Sequence, residues 1–155
     1  MLNNRIVVKD VQNLSPQLTS HGIGSKLVLL ANHETNSAIT QIAMTTLLKG
    51  EFVESHAHPT MDEHFLIVTG EGKMFLDGDT IQCVPGRYIL VPATLIHRVE
   101  AVKEMYFLTI GVSTGGLESY KDSLKASLLK TVANKLNDVA AVTNELDKGW
   151  QGEPR

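Results

Sequence analysis

Two histidines and a glutamate lie close enough in the sequence to do chemistry together. His56 and His58 are separated by one residue, and Glu63 follows five positions later. On a β-strand, residues two apart point to the same face, so both imidazoles could reach one point inside a barrel. A turn after Pro59 would bring Glu63, at the start of the next strand, beside them. Two imidazoles and one carboxylate suit a redox-active or Lewis-acid divalent metal.

Glycines at fixed distances from these residues extend the pattern. Five residues separate Gly50 from the first histidine, four separate the second histidine from Glu63, and six separate Glu63 from Gly70. This stretch resembles the first sequence motif of the cupin superfamily at every fixed position. The resemblance selects Glu63 rather than its neighbour Asp62 as the ligand, and strand alternation also turns Asp62 to the opposite face.

A second stretch, fifteen residues further on, resembles the second cupin motif. Five residues separate Gly86 from Pro92, and two residues separate Thr94 from His97. The resemblance implies that His97 completes a set of four metal ligands: His56, His58, Glu63 and His97. That set accepts one divalent ion, whether Fe, Mn, Ni, Co, Cu or Zn. Thr94 stands where the family usually has glycine and Ala101 where it often has asparagine; both positions serve the loop and the strand edge. The alternatives are ordinary strand histidines, or a cupin that has lost its metal.

Short apolar runs between turn residues fill the chain from Lys26 to Ser113. This spacing indicates an antiparallel sandwich or barrel, and the resemblance implies the cupin double-stranded β-helix, an all-β jelly-roll barrel. Asp77-Gly78 lies between two such runs and predicts a tight hairpin, because glycine accepts a positive φ without steric cost. We predict an N-terminal arm, a cupin barrel and a C-terminal helical extension, over residues 1–25, 26–113 and 114–155.

The apolar spacing becomes helical after Gly116. Apolar side chains then recur every three or four residues, at Leu117, Tyr120, Leu124, Leu128, Val132, Leu136, Val139 and Ala140. This pattern predicts one or two amphipathic α-helices that end near Gly149 and pack on the outside of the barrel.

The predicted ligand set leaves coordination positions open, which distinguishes a catalytic metal from a structural one. Apolar residues on the same face or on other strands would form a small dry pocket for an organic ligand: Met44, Phe52, Phe65, Ile67 and Phe107. Plain barrel core is an equal alternative for these five. Alternation points His64 away from the metal. His21 and His33 lie in polar, turn-rich surroundings and are expected at the surface.

The segment 115–120, Gly-Gly-Leu-Glu-Ser-Tyr, resembles a stretch of small quercetin-dioxygenase-like cupins. That resemblance implies attack of dioxygen on an enol or phenol, with Glu63 taking the substrate proton as the catalytic group. The first hypothesis is a metal-dependent oxygenase that acts on a small hydroxylated or aromatic compound. The second is a non-catalytic cupin that binds a metabolite for sensing or storage. Sugar isomerisation or epimerisation would need a pocket Lys or Arg, and only Arg87 and Arg98 lie near in sequence.

Composition restricts the partners and the location. The chain has 155 residues and 43% hydrophobic content, enough for one core. Its fourteen basic and seventeen acidic residues form no basic stripe that would follow nucleic-acid phosphates. No apolar segment approaches the roughly 20 residues that cross a bilayer, and the start does not resemble a signal peptide, so we expect a cytoplasmic protein without membrane partners. Cys83 has no cysteine partner in the chain.

We predict a homodimer from exposed apolar residues. Leu66 and Val68 are expected on the outer face of the barrel, and Ile6-Val7-Val8 could add a strand to the sheet edge of a partner.

Overall fold

The structure is a computed structural model that describes residues 6–116, 122, 125–126, 128–130 and 132–135. The strands are β1 (Gln17–Leu18), β2 (Ser25–Ala31), β3 (Ile39–Leu47), β4 (Phe52–His56), β5 (Met61–Thr69), β6 (Gly72–Leu76), β7 (Asp79–Cys83), β8 (Tyr88–Val91), β9 (His97–Ala101) and β10 (Met105–Ser113). Two short 3-10 helices, Val11–Asn13 and Asn32–Glu34, precede β1 and follow β2.

The strands form two antiparallel sheets. Six strands make one sheet in the order β1-β2-β3-β10-β5-β8, and four make the other in the order β4-β9-β6-β7. Most neighbours in a sheet are distant in sequence, as when β10 lies between β3 and β5. Such pairing brings sequence-distant side chains onto one inner surface. The predicted all-β jelly-roll barrel is confirmed.

Alternating side chains from the two sheets form one hydrophobic core. In β6, for example, Gly72, Met74 and Leu76 are buried while Lys73 and Phe75 are less so. The core consists of Leu47, Val53, Phe65, Ile67, Met74, Leu76, Cys83, Ile89, Val91, Val99, Ala101, Met105 and Phe107. Burial raises the pKa of the Cys83 thiol to about 11, so this cysteine packs as a small apolar side chain and is unreactive near neutral pH.

The predicted hairpin at Asp77-Gly78 is present between β6 and β7. Leu76 pairs with Asp79, which leaves two residues in the loop. Asp77 has φ 42° and Gly78 has φ 91°. Positive φ at both central residues is the geometry of a type I′ turn, whose twist matches that of the paired strands.

The C-terminal part of the chain belongs to a second compact unit, Lys121–Arg155, apart from the first unit, Met1–Tyr120. Its described residues are helical and exposed. Leu128 and Val132 of the predicted apolar stripe are among them, at 59% and 54% exposure. The other members lie outside the described residues: Leu117, Tyr120, Leu124, Leu136, Val139 and Ala140. None of the described helical residues belongs to a helix with the length and apolar character to span a membrane.

Candidate metal centre

The four predicted ligands come from three strands and one loop. His56 ends β4 and pairs directly with His97, which begins β9. Glu63 is near the start of β5, and His58 lies in the connection between β4 and β5. One ligand atom from each residue lies within 4.8 Å of the corresponding atoms of the other three. The group could therefore hold one metal ion.

A β-bulge in β4 determines which of its side chains face the interior. The register with β9 shifts between Val53 and His56, so Val53 packs in the core and His56 also faces inward. Phe52 consequently lies on the outer face, where the Arg98 guanidinium carbon lies 4.0 Å from the centroid of its ring. The prediction that Phe52 shares the ligand face is therefore wrong, because simple alternation does not continue across a bulge.

The other predicted pocket residues divide between the site and the core. The Phe65 ring centroid lies 6.3 Å from that of His97 and 5.9 Å from that of Phe107. Ile67 and Phe107 are 1% and 2% exposed and belong to the core. Met44 lies between the buried Ala43 and Thr45 on β3 and so points to the outer face, contrary to the prediction. Of the five residues, Phe65 is the one whose ring faces a candidate ligand, His97.

Two hydrogen bonds donated by backbone amides tie the loop before His97 to the first motif. The Ala93 amide donates to Asp62 Oδ1 over 2.8 Å, and the Thr94 amide donates to the His58 carbonyl oxygen over 2.7 Å. Asp62 thus bonds a loop amide and does not share the ligand cluster, in agreement with the choice of Glu63. These bonds hold the two motifs in one arrangement although His58 and His97 are far apart in sequence.

Thr94 has a backbone conformation that favours glycine. Its φ is 71°. The Leu95 amide donates to the Pro92 carbonyl oxygen over 3.2 Å, which closes a four-residue turn with Thr94 in third place. A type II turn needs a positive φ at that place, and a β-branched side chain is strained there. This strain explains why the family motif that residues 86–97 resemble usually carries glycine at the position of Thr94.

Thr94→Gly is therefore expected to stabilise the protein by about 1 kcal/mol, since relief of left-handed strain outweighs the entropy that glycine adds to the unfolded chain. Urea denaturation of both proteins measures the difference. Ala93→Gly, whose φ lies outside the positive range, serves as the control and should lose about 0.5–1 kcal/mol. A Thr94→Gly protein as destabilised as the control would contradict the strain.

Hydrogen bonds to backbone carbonyls orient two of the imidazoles. Nδ1 of His56 donates to the Glu54 carbonyl oxygen over 2.8 Å, and Nδ1 of His97 donates to the Leu95 carbonyl oxygen over 3.0 Å. Because a carbonyl oxygen only accepts, both Nδ1 atoms must carry the proton. In the neutral rings Nε2 is then a bare lone pair, which is the state a metal requires.

Glu63 lies within hydrogen-bond distance of two imidazole nitrogens, one of which is the Nε2 atom of His97. Its Oε2 lies 3.2 Å from Nε2 of His58 and 3.2 Å from Nε2 of His97. Because Nε2 of a neutral His97 is bare, the Glu63 oxygen would place its lone pair against that of the nitrogen, so either a proton or a metal ion must lie between them. The donor set and its spacing therefore fit a divalent ion that replaces the shared protons.

The electrostatics of the cluster follow from burial and from these contacts. Burial favours protonation of Glu63, but hydrogen bonds from His58 and His97 outweigh it and lower the pKa of Glu63 to about 2. Burial lowers the pKa of His97, yet its hydrogen bonds to Glu63 and the Leu95 carbonyl leave the pKa raised overall. Burial, assisted by the neighbouring histidines, lowers the pKa of His56 to about 4, so that ring is neutral near pH 7.

Two further residues near the cluster come from the N-terminal part of the chain. His21 is exposed, as expected, but its ring centroid lies 4.1 Å from that of His56. Lys26 on β2 is close enough for the charge of Glu63 to act on its pKa, which burial lowers. The one signal in the sequence that could have marked Lys26 is a charged residue in the otherwise apolar strand β2. Nothing local marks His21, because its position depends on how β1 and β2 pair.

Comparison with known proteins agrees with the fold and the motif. A family model described as the cupin domain matches residues 43–111. No curated protein sequence matches the chain. Among solved structures, a predicted oxalate decarboxylase from Thermotoga maritima is similar with a TM-score of 0.64 and 19% identity, covering 69% of this chain and 99% of the other.

Two more solved structures have comparable likeness. Ectoine synthase from P. lautus has a TM-score of 0.61 and 16% identity, over 70% of this chain and 78% of its own. An RmlC-like cupin from Shewanella frigidimarina has a TM-score of 0.59 and 17% identity, over 68% and 88%. At such identities the likeness extends to the fold alone. Together with the family-model match, it shows that residues 43–111 of this chain form a cupin domain.

Proposed function

We propose that this protein binds one divalent metal ion through His56, His58, Glu63 and His97 and acts as an oxygenase on a small hydroxylated or aromatic compound. The observation that carries the proposal is the convergence of three imidazoles and one carboxylate within 4.8 Å. Iron, manganese, nickel, cobalt, copper and zinc all suit these donors. When bound, such an ion would act as a Lewis acid and orient substrate and dioxygen.

The exposure of each side chain indicates its role in the remaining steps, from the exclusion of water to the entry of substrate. His97 is 1% exposed and lies beside Phe65, so the inner side of the site excludes water. The His58 side chain is 27% exposed, which makes its side the one from which a substrate would enter. Glu63 is the one carboxylate among the four candidate ligands, and it is the candidate to take the proton of an enol or phenol hydroxyl.

The reaction balances without another reductant. The substrate would supply the four electrons that reduce dioxygen, and both oxygen atoms would enter the product. The similar structures carry names as different as predicted oxalate decarboxylase and ectoine synthase, so the fold does not select the reaction. Support for oxygenase chemistry comes from the ligand cluster and from the resemblance of residues 115–120.

An oxygen-uptake assay tests the proposal. Protein loaded separately with Fe(II), Mn(II) or Ni(II) is given a panel of phenols, enols and diketones, and dioxygen is followed with an electrode. We expect one dioxygen consumed per substrate converted, and a loss of at least about 100-fold in Glu63→Gln, which lacks both a ligand charge and the base. His64→Gln is the matched control, since His64 bonds Tyr88 on the outer face.

Retention of activity by Glu63→Gln would contradict the role given to Glu63. Saturable ligand binding without dioxygen consumption, for every metal, would instead support the alternative of a non-catalytic binder for sensing or storage. Both results can be read from one set of protein preparations.

A further inference from the structure

Lys26 and Gln41 form a polar pair on the face of the sheet that carries Glu63. Lys26 lies opposite Thr45, which is 6% exposed, and directly opposed residues share a face. Gln41 and Glu63 both pair with Gly111, from the two sides of β10. Lys26 Nζ donates to Gln41 Oε1 over 2.9 Å. The pair therefore stands on the inner wall beside the candidate metal centre.

The Lys26–Gln41 pair has hydrogen-bond donors that are not used by any of the described residues. Within the part of the chain that the structure describes, Gln41 is the one hydrogen-bond partner of the Lys26 ammonium, and no carboxylate lies within ion-pair distance of it. The bond to Oε1 fixes the amide so that both N–H groups of Gln41 Nε2 point elsewhere. No buried side-chain nitrogen or oxygen of the described residues lacks a partner, so this Nε2 is open to solvent.

An anion would complete this arrangement. A half-buried ammonium without a counter-charge loses hydration that a neutral amide replaces only in part. Burial accordingly lowers the pKa of Lys26, and the charge of Glu63 only partly opposes this. A single ammonium with an amide matches a planar, singly charged acceptor. The two arginines that lie near the motifs in sequence, whose guanidinium groups would suit phosphate, are engaged elsewhere: Arg87 donates to the Gln82 carbonyl oxygen and Arg98 pairs with Glu100.

We propose that the ligand of this site carries a carboxylate, which Lys26 and Gln41 bind while the ligand's hydroxyl group faces Glu63 and the histidines. The inference rests on the proposed function and narrows its substrate class to hydroxylated or aromatic carboxylates. Lys26 is then a specificity-determining residue, contributed by a strand that lies outside both sequence motifs.

The test compares acids with their neutral amides. Protein loaded with Co(II) is titrated by calorimetry with the three hydroxybenzoates and with the matching hydroxybenzamides, while the visible Co(II) spectrum reports the metal centre. We expect at least one hydroxybenzoate to bind about tenfold or more tightly than its amide, as a charge-assisted hydrogen bond provides. Lys26→Met should remove this preference and keep the Co(II) spectrum, and Lys26→Arg should restore part of it. Lys73→Met, on β6 in the other sheet, is the control that keeps the preference.

Each other outcome has one meaning. Wild-type protein that takes no Co(II) would overturn the proposed function itself. Normal Co(II) binding with no hydroxybenzoate bound, or with equal preference in wild type and Lys26→Met, would overturn the carboxylate inference and leave the metal site intact. Loss of Co(II) from Lys26→Met would assign Lys26 to the metal centre and would also overturn it.

Discussion

His97→Gln is expected to lower metal affinity by more than about 100-fold, since changes to the outer-shell partners of a metal ligand already cost 10–100-fold. His97 is the deepest of the four ligands, and its Nδ1 bond to the Leu95 carbonyl fixes Nε2 toward Glu63. No other described His, Cys, Asp or Glu belongs to a ligand group that could replace it. Elemental analysis after dialysis against buffered metal, and the rise in melting temperature on metal addition, measure the effect.

A second variant separates loss of the ligand from loss of the fold. His97 is 1% exposed, so glutamine could disturb the packing, whereas the His58 side chain is 27% exposed and His58→Gln removes a ligand near the surface. Both variants should lose the metal. The control His64→Gln should keep it, because His64 Nδ1 lies 2.6 Å from Tyr88 Oη on the outer face. Metal bound as tightly by both ligand variants as by wild type would refute the assignment.

Gly70→Ala is expected to destabilise the protein by more than about 4 kcal/mol, a large part of the stability of a small domain. Gly70 has φ +86°, and a Cβ atom there would overlap the Glu104 carbonyl oxygen and lie 2.7 Å from Met105 Cα. Both neighbours are backbone atoms at the start of β10, so neither can move aside without displacing the strand. Guanidinium denaturation, or the soluble yield if the variant does not fold, measures the loss.

Gly50→Ala is the matched control for this prediction. Gly50 has nearly the same φ, +84°, but a Cβ atom there would meet nothing within 4 Å. The free energy of unfolding of Gly50→Ala should fall by only about 1 to 2 kcal/mol, which is the cost of left-handed backbone strain. The difference between the two variants isolates the steric reason for the second glycine of the motif. Equal losses would mean that φ alone explains both glycines.

Local sequence was sufficient for three of the four ligands and for the hairpin. His56, His58 and Glu63 lie within one strand–turn–strand segment, so a single turn brings them together, although His58 lies in the connection and not on the strand that alternation assumed. His97 came from the resemblance, since no rule of spacing links it to the others across sequence-distant strands. The sequence Asp77-Gly78 was enough to predict the turn, because few residue types adopt the positive φ values that a two-residue hairpin loop requires.

Features that depend on strand pairing could not be predicted from the sequence. The bulge in β4 arises against β9, and it moved Phe52 to the outer face although parity placed it inside. Lys26 and His21 reach the site only through the pairing of β2 with β3 and of β1 with β2. Met44 was predicted to face the interior, but the sequence does not show which face of β3 is buried. Its buried neighbours Ala43 and Thr45 place Met44 on the outer face.

The homodimer and the cytoplasmic location stay predictions. Leu66 and Val68 are 39% and 42% exposed on the outer face of β5, next to Tyr88 and Leu90 of the edge strand β8. Ile6 and Val8 are 88% and 83% exposed. Exposed apolar groups at a sheet edge are consistent with a second copy of the chain.

Anomalous diffraction from crystals of protein purified without chelator tests the central claim most directly. Data collected above and below the absorption edge of the metal found by elemental analysis should give one peak per chain. That peak should lie about 2.0–2.2 Å from the imidazole nitrogens of His56, His58 and His97 and from a Glu63 oxygen. A map without a peak at this point, from protein saturated with metal, or a peak held by other residues, would contradict the account.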